Sequence, residues 1–138
     1  MHLVFVFGTL KEGFPNFKSN KGIRVPGTFA TKEKYPLYLV GERRSPCLVM
    51  RAGEGKRVTG QVFAVDDFAL SEMDLLERVS YPDGHMRVEL QVTDMCGENE
   101  MQVFAYMTPA GQLSDASIME GPLVTYELEH AAVYRNRT

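Results

Sequence analysis

Residues that bind metal ions or form disulfide bonds are scarce in this sequence. The two cysteines, Cys47 and Cys96, lie far apart without a CxxC partner, and the three histidines show no metal-ligand spacing. A structural zinc site needs clustered ligands, and a disulfide framework needs several paired cysteines. The composition therefore argues against both. We expect two reduced thiols, as in a cytoplasmic protein, and no bound metal ion.

An excess of basic residues is also missing. The sequence has 15 Lys and Arg against 18 Asp and Glu residues, a net charge of -3 at pH 7. Binding to nucleic acid depends on basic side chains that neutralise phosphates. The composition therefore argues against a nucleic-acid partner, although a local basic patch remains open.

The apolar start of the chain is too short to cross a membrane. Met1–Phe7 is apolar but stops at Gly8, and no basic region precedes it. A spanning helix needs about 20 apolar residues, and a signal peptide needs a basic start. We expect neither of these, and we interpret the segment as a buried first strand of a cytoplasmic protein.

What the sequence does contain is the pattern of one α+β domain over residues 1–138. A chain of this length fits a single domain. Segments rich in β-branched and aromatic residues, or alternating apolar with polar residues, predict strands, and the last two such segments predict a hairpin. The predicted strands are Leu3–Phe7, Ile23–Thr31, Tyr35–Val40, Pro46–Arg51, Val58–Val65, Met86–Thr93 and Met101–Met107.

One segment has clear helical periodicity. We predict a helix over Phe68–Val79, with Asp66 or Asp67 as its N-terminal cap. Its predicted core-facing stripe is Ala69, Met73 and Leu76.

The pattern weakens beyond Pro109, and Tyr126–Ala132 is either a helix or an ordered coil. About six or seven strands with one good helix favour a mixed or antiparallel barrel-like sheet.

The first candidate binding feature is the junction Val6–Leu10, where a predicted strand runs directly into Gly8. Glycine lets the backbone approach a ligand closely. Successive N–H groups in such a turn can bind an anion, for example a carboxylate or a developing oxyanion. The alternative is an ordinary turn at the end of a strand. The loop has the spacing of neither a P-loop nor a dinucleotide-binding motif.

The second candidate is Glu77, near the end of the predicted helix. At about 100° per residue, Glu77 projects at the margin of the apolar face, whereas Asp74 lies on the polar side. Partial burial and the C-terminal end of the helix dipole both disfavour the charged form of Glu77. This situation suits a group that transfers protons near neutral pH. The alternative is a glutamate at the rim of the apolar face, paired with a neighbour such as Arg78 or Arg87.

Other residues are weaker candidates. His85 follows a Pro-Asp-Gly turn, and we expect a surface histidine there that can titrate near neutral pH. We expect Lys11 to be solvated. Cys47 has no base near it in the sequence, so a cysteine nucleophile is unsupported. Tyr106 is expected first of all in the core.

In combination, these segments resemble the γ-glutamylcyclotransferase superfamily, also called AIG2-like, and within it the γ-glutamylamine cyclotransferases. The likeness covers most of the chain, with the matching segments in the same order. The specific feature is the combination of a first strand and loop with a later glutamate on a helix. The matching segments are Leu3–Lys11, Gly13, Pro15, Asn16, Tyr35–Leu37, Gly41–Glu42, Gly60–Asp66, Asp74–Glu77, Arg87 and Val103–Tyr106, with a looser likeness over Tyr126–Arg137.

The resemblance implies a small mixed β-barrel with one main helix. It also implies a monomeric enzyme without a cofactor, which acts on a small γ-glutamyl compound and has no nucleic-acid or membrane partner. Glu77 would be the catalytic acid/base. The residues implied to bind the substrate are Phe7, Gly8, Thr9, Leu10 and Tyr106.

The implied reaction is intramolecular. The α-amino group of the substrate attacks its own γ-carbonyl, closes 5-oxoproline and expels an amine, such as lysine from γ-glutamyl-ε-lysine, so the enzyme supplies no nucleophile. The alternatives are a cyclotransferase for γ-glutamyl amino acids or glutathione, and a non-catalytic γ-glutamyl-binding module. The family usually has Tyr at the position of Phe7, and Tyr is also common at the position of His85. These two differences bear on the substrate preference, whereas the proposed acid/base, Glu77, is retained.

Overall fold

The computed structural model of the protein describes residues 1–135, so Asn136 and Arg137, at the end of the looser likeness, and Thr138 lie outside the described residues. Within residues 1–135 the chain forms eight strands and two α-helices. They are β1 (His2–Val6), β2 (Ile23–Thr31), β3 (Leu37–Val40), β4 (Ser45–Leu48), β5 (Thr59–Val65), α1 (Asp67–Leu76), β6 (Met86–Asp94), β7 (Glu100–Met107), β8 (Ile118–Glu120) and α2 (Leu128–Ala131).

Five of these strands close into a barrel in the order β1-β5-β2-β6-β7. The barrel closes where β1 and β7 run parallel, with Val4 opposite Phe104. The other neighbouring strands are antiparallel. The prediction of a small mixed barrel with one main helix is therefore confirmed. The predicted hairpin is present as β6 and β7, which pair from Met86 opposite Met107 to Thr93 opposite Glu100.

A second sheet of three antiparallel strands, in the order β4-β3-β8, accompanies the barrel. The sequence did not predict β8, which has only three residues. A strand this short has too few residues to show alternation. The second sheet joins the barrel near the end of β7, where the backbone N–H of Met50 donates to the carbonyl of Thr108 at 2.9 Å.

Strand β1 is buried on both faces, which explains its unbroken apolar run. Phe5 belongs to the main core cluster, together with side chains from the other barrel strands. Val4 and Val6 belong to a second cluster, with Ala69 and Met73 of helix α1. A strand covered on both sides has no polar face, so its sequence does not alternate.

Helix α1 begins as predicted and ends earlier than predicted. The Asp66 side chain accepts a hydrogen bond from the backbone N–H of Ala69 at 2.7 Å and caps the helix. The helix ends at Leu76, because the chain turns sharply at Arg78, which has a left-handed φ of 58°. The predicted extension to Val79 was therefore wrong.

The core-facing stripe of α1 also differs from the prediction. Ala69, Leu70 and Met73 are buried, whereas Leu76 is 43% exposed. Leu76 is the last helical residue and lies at the edge of the helix–barrel contact, where the chain leaves the core.

The C-terminal segment contributes to the core and includes a short helix. Tyr126 is fully buried in the main cluster, and Leu128–Ala131 forms one helical turn, α2. Of the two alternatives for Tyr126–Ala132, the helix is therefore present over Leu128–Ala131, and Tyr126 lies in the ordered coil before it. Within residues 1–135, no helix combines the length and the apolar content needed to cross a membrane.

Candidate active site

A cavity of about 490 Å³ opens where β1, the end of α1 and the C-terminal segment meet. Its size is typical of pockets that bind small molecules. All six residues predicted to form the site line it, namely Glu77, Phe7, Gly8, Thr9, Leu10 and Tyr106. The structure thus brings together residues that are up to 99 positions apart in the sequence.

The loop after β1 presents unpaired backbone N–H groups to this cavity. A turn closes with the N–H of Lys11 donating to the carbonyl of Gly8 at 3.1 Å. The N–H groups of the two central residues, Thr9 and Leu10, donate to no acceptor among the described residues. Asn16 stabilises the turn through two hydrogen bonds. Its backbone N–H donates to the Thr9 carbonyl, and its side-chain amide donates to Thr9 Oγ1. Fixed N–H groups of this kind suit a carboxylate or an oxyanion.

Gly8 is required in this loop by close packing. A Cβ atom on Gly8 would lie 2.7 Å from Cγ of Pro46, and the proline ring has little freedom to move. Pro46 lies in β4 and also lines the cavity. The missing side chain therefore lets the second sheet approach the first loop, a different reason from the close approach of a ligand.

Glu77 caps the C-terminus of α1, and its side chain is 21% exposed on the cavity wall. It pairs with neither of the arginines considered from the sequence. Arg78 pairs with Asp83 at 3.1 Å, and Arg87 pairs with Asp74 at 2.7 Å. The two arginines named as possible partners of a rim glutamate were therefore wrong, although Glu77 does pair with another neighbour.

The partner of Glu77 is His85, whose Nδ1 lies 2.7 Å from Glu77 Oε2. The contact is a short ion pair, in which a hydrogen bond and the opposite charge of Glu77 both act on the imidazole. The His85 side chain is 22% exposed and lines the cavity. The expectation of a surface histidine was wrong, because the turn between α1 and β6 folds His85 back against the helix end.

The imidazole of His85 also interacts with the thiol of Cys47. Burial by itself lowers the pKa of His85, but the interactions with Cys47 and Glu77 outweigh it and raise the pKa to about 10. Cys47 is 7% exposed, lies in β4 and is not part of the cavity wall. The sequence placed no base near Cys47, and the fold brings one there from 38 residues further along the chain.

A second carboxylate supports the cavity wall from behind. The hydroxyl of Tyr106 donates to Asp74 Oδ1 at 2.7 Å, and Arg87 donates to Asp74 Oδ2 at 2.7 Å. Burial, and then the neighbouring Asp74, raise the pKa of Tyr106, so the phenol remains protonated. Asp74 therefore does not lie on a solvated polar face, as the periodicity indicated, but fixes the orientation of a ring that lines the cavity.

Three residues that were not predicted as site residues form a hydrogen-bonded cluster on the cavity wall. The hydroxyl of Tyr134 accepts hydrogen bonds from Arg43 at 3.1 Å and from Asn16 at 3.4 Å, and all three residues line the cavity. They are separated by up to 118 positions in the sequence. No local pattern joins residues so far apart, so periodicity and spacing gave no signal for this cluster.

Lys11 is buried, contrary to the expectation that it is solvated. It is 5% exposed, its Nζ donates to the carbonyl of Tyr126, and it lies 4.3 Å from the centre of the Phe14 ring. Burial lowers the pKa of Lys11 to about 8, and Glu127 partly opposes this effect. Lys11 thus ties the first loop to the C-terminal segment, outside the cavity itself.

Comparison with known proteins decides the family. The family model described as "Gamma-glutamyl cyclotransferase, AIG2-like" matches residues 4–125. The chain belongs to this family. It is 34% identical over 122 residues to γ-glutamylaminecyclotransferase C of Danio rerio, covering 85% of this chain and 73% of that protein. It is 36% identical over 110 residues to γ-glutamylaminecyclotransferase of Bos taurus, and this match covers 76% of this chain and 64% of that protein.

A solved structure of a member of the AIG2-like family has the same fold. The crystal structure of an AIG2-like protein from Mus musculus superimposes with a TM-score of 0.84 at 29% sequence identity. The match covers 99% of this chain and 97% of that chain. Phe7 and His85, the two positions noted from the sequence resemblance, both line the cavity.

Proposed function

We propose that the protein is a γ-glutamylamine cyclotransferase whose acid/base is Glu77. The observation that carries this proposal is a single cavity with the Glu77 carboxylate and the free N–H groups of Thr9 and Leu10 on its wall. The names of the relatives from Danio rerio and Bos taurus support the same activity.

The chemistry needs only binding and proton transfer. The substrate α-ammonium group releases one proton to become a nucleophile, and its nitrogen attacks the γ-carbonyl carbon. Glu77 takes the second proton from the attacking nitrogen and delivers it to the leaving nitrogen as the original C–N bond breaks. The expelled amine then takes up a proton from water, so the proton count balances. A positioned acid/base typically contributes a factor of ~10²–10⁴.

The first loop and its neighbours hold the glutamyl group. The N–H groups of Thr9 and Leu10 bind the α-carboxylate or stabilise the oxyanion of the tetrahedral intermediate. Phe7 is 8% exposed and Tyr106 is 3% exposed. Their rings therefore form rigid walls on either side of the glutamyl chain. Folding the substrate within these walls places its two reacting atoms together, which removes much of the entropic barrier.

The leaving amine extends towards the side of the cavity formed by Arg43. Cationic side chains line the cavity, among them Lys18 and Arg43. They favour a leaving amine that carries its own carboxylate, as lysine does when it leaves γ-glutamyl-ε-lysine.

A substrate panel tests this proposal. The purified protein is incubated with γ-glutamyl-ε-lysine, a γ-glutamyl amino acid and glutathione, and the release of 5-oxoproline is quantified. We expect the highest kcat/KM for the lysine isopeptide. Turnover of glutathione alone would refute the proposed substrate. Absence of 5-oxoproline release from all three compounds would refute the proposed activity.

A further inference from the structure

We propose that His85 is a positioning residue that fixes Glu77 in its catalytic orientation, so that the acid/base of this protein is a glutamate–histidine pair. This inference rests on the proposed function, in which Glu77 transfers the protons. Nδ1 of His85 lies 2.7 Å from Oε2 of Glu77. Among the ion pairs of residues 1–135, this is the one that Glu77 makes.

The backbone holds His85 in this place independently of its side chain. The N–H of His85 donates to the carbonyl of Glu77 at 3.1 Å, so the two residues are joined by main chain as well as side chain. The turn between them is tight, because a Cβ atom on Gly84 would lie only 1.7 Å from the carbonyl oxygen of Arg78. Arg78 itself has a left-handed φ of 58°. Such a closed turn fixes the imidazole before any substrate binds.

The ring is also held on a second side. Cys47 from β4 interacts with the imidazole, while Glu77 approaches from the end of α1. On the turn itself, Arg78 and Asp83 pair with each other at 3.1 Å. Burial lowers the pKa of His85, but Cys47 and Glu77 outweigh it and raise the pKa to about 10, which favours an imidazolium at neutral pH.

An imidazolium in this place assigns different tasks to the two oxygens of Glu77. Oε2 faces His85, which leaves Oε1 to accept the proton of the attacking nitrogen and return it to the leaving nitrogen. The positive charge also favours the carboxylate over the carboxylic acid. Glu77 therefore stays available as a base at lower pH than a glutamate without this neighbour.

Two substitutions at one position separate orientation from charge. His85→Phe keeps a ring of similar size but removes the donor and the charge, whereas His85→Gln keeps a donor without the charge. The matched control is His2→Gln, which removes an imidazole 2.6 Å from Asp67 on the surface, outside the cavity. Steady-state kinetics with the lysine isopeptide, pH profiles and thermal unfolding are measured for each.

We expect His85→Phe to lower kcat by roughly 10- to 100-fold with a smaller change in KM, since a misplaced group costs up to about 10²-fold. His85→Gln should recover part of kcat. In both variants the acid limb of kcat/KM should move to higher pH, because the positive charge is gone. His2→Gln should match the wild type.

The inference is overturned if His85→Phe keeps the wild-type kcat, or if the acid limb stays in place in both variants. Should His85→Phe unfold, the pH profile of His85→Gln decides by itself. A wild-type protein that releases no 5-oxoproline would refute the proposed function, whereas active His85 variants with unchanged pH profiles would refute only the role of His85.

Discussion

The two ends of helix α1 carry the same chemical pair in different surroundings. At the N-terminus, Asp67 lies 2.6 Å from His2, and its side chain is 97% exposed. At the C-terminus, Glu77 lies 2.7 Å from His85, and both side chains are about one-fifth exposed. The distances are almost equal, so burial and the adjoining cavity distinguish the two pairs.

The difference shows where a carboxylate–imidazole pair becomes chemically useful. The hydrogen bond and the charge of His2 lower the pKa of Asp67, but water and salt screen an exposed pair, and such pairs contribute little to stability. In the cavity, screening is weaker, and the pair shares the cavity wall with the first loop. We therefore expect changes at the buried, cavity-side residues of the C-terminal half of α1 to affect activity, whereas changes at its exposed positions and at its N-terminus do not.

The largest stability effect is expected at Asp74, which lies on the C-terminal half of the helix. Asp74→Ala leaves the buried hydroxyl of Tyr106 and the guanidinium of Arg87 without their acceptor. Leaving a buried polar group unpaired costs about 1–3 kcal/mol. We expect a decrease of this size in the unfolding free energy by urea titration, together with a lower kcat/KM because Tyr106 lines the cavity.

Glu72→Ala is the matched control, because Glu72 lies on the same helix and is exposed. Glu72→Ala should change neither the unfolding free energy nor kcat/KM measurably. If Asp74→Ala behaved like Glu72→Ala in both measurements, the supporting role of Asp74 would be refuted.

A smaller effect is expected at the helix N-terminus. Asp66→Ala removes the capping hydrogen bond to the backbone N–H of Ala69. Loss of such a cap costs about 1 kcal/mol, so thermal unfolding should shift down modestly. The release of 5-oxoproline by the folded protein should be unchanged, since the cap lies about 15 Å from Glu77 along the helix.

A lower kcat in folded Asp66→Ala would break the comparison, because it would show that the two ends of α1 are coupled. An unchanged stability would show instead that the cap does not support the helix.

The elements with local patterns were predictable from the sequence. Strand β6 alternates apolar and polar residues over Met86–Thr93, strands β5 and β7 combine a shorter alternation with β-branched and aromatic content, and α1 has a cap and a periodic stripe. β1 was recognised from its β-branched and aromatic content instead. Strand β8 has three residues, too few for any period to appear.

Within the cavity, the predictable part was the set of residues near one motif or carried by the resemblance. The first loop and Glu77 are of this kind, and all six predicted residues line the cavity. The contacts of His85 with Glu77 and Cys47, and of Arg43 with Tyr134, depend on how the chain folds back on itself. Lys11 was misjudged for the same reason, because its acceptor lies 115 residues away.

The central claim is that Glu77 transfers the protons, and one comparison tests it directly. The release of 5-oxoproline from γ-glutamyl-ε-lysine is measured for the wild type, Glu77→Gln and Asp67→Asn, with thermal unfolding to show that each is folded. We predict that Glu77→Gln loses a factor of ~10²–10⁴ while Asp67→Asn retains wild-type activity. A folded Glu77→Gln protein that releases 5-oxoproline at the wild-type rate would contradict the account.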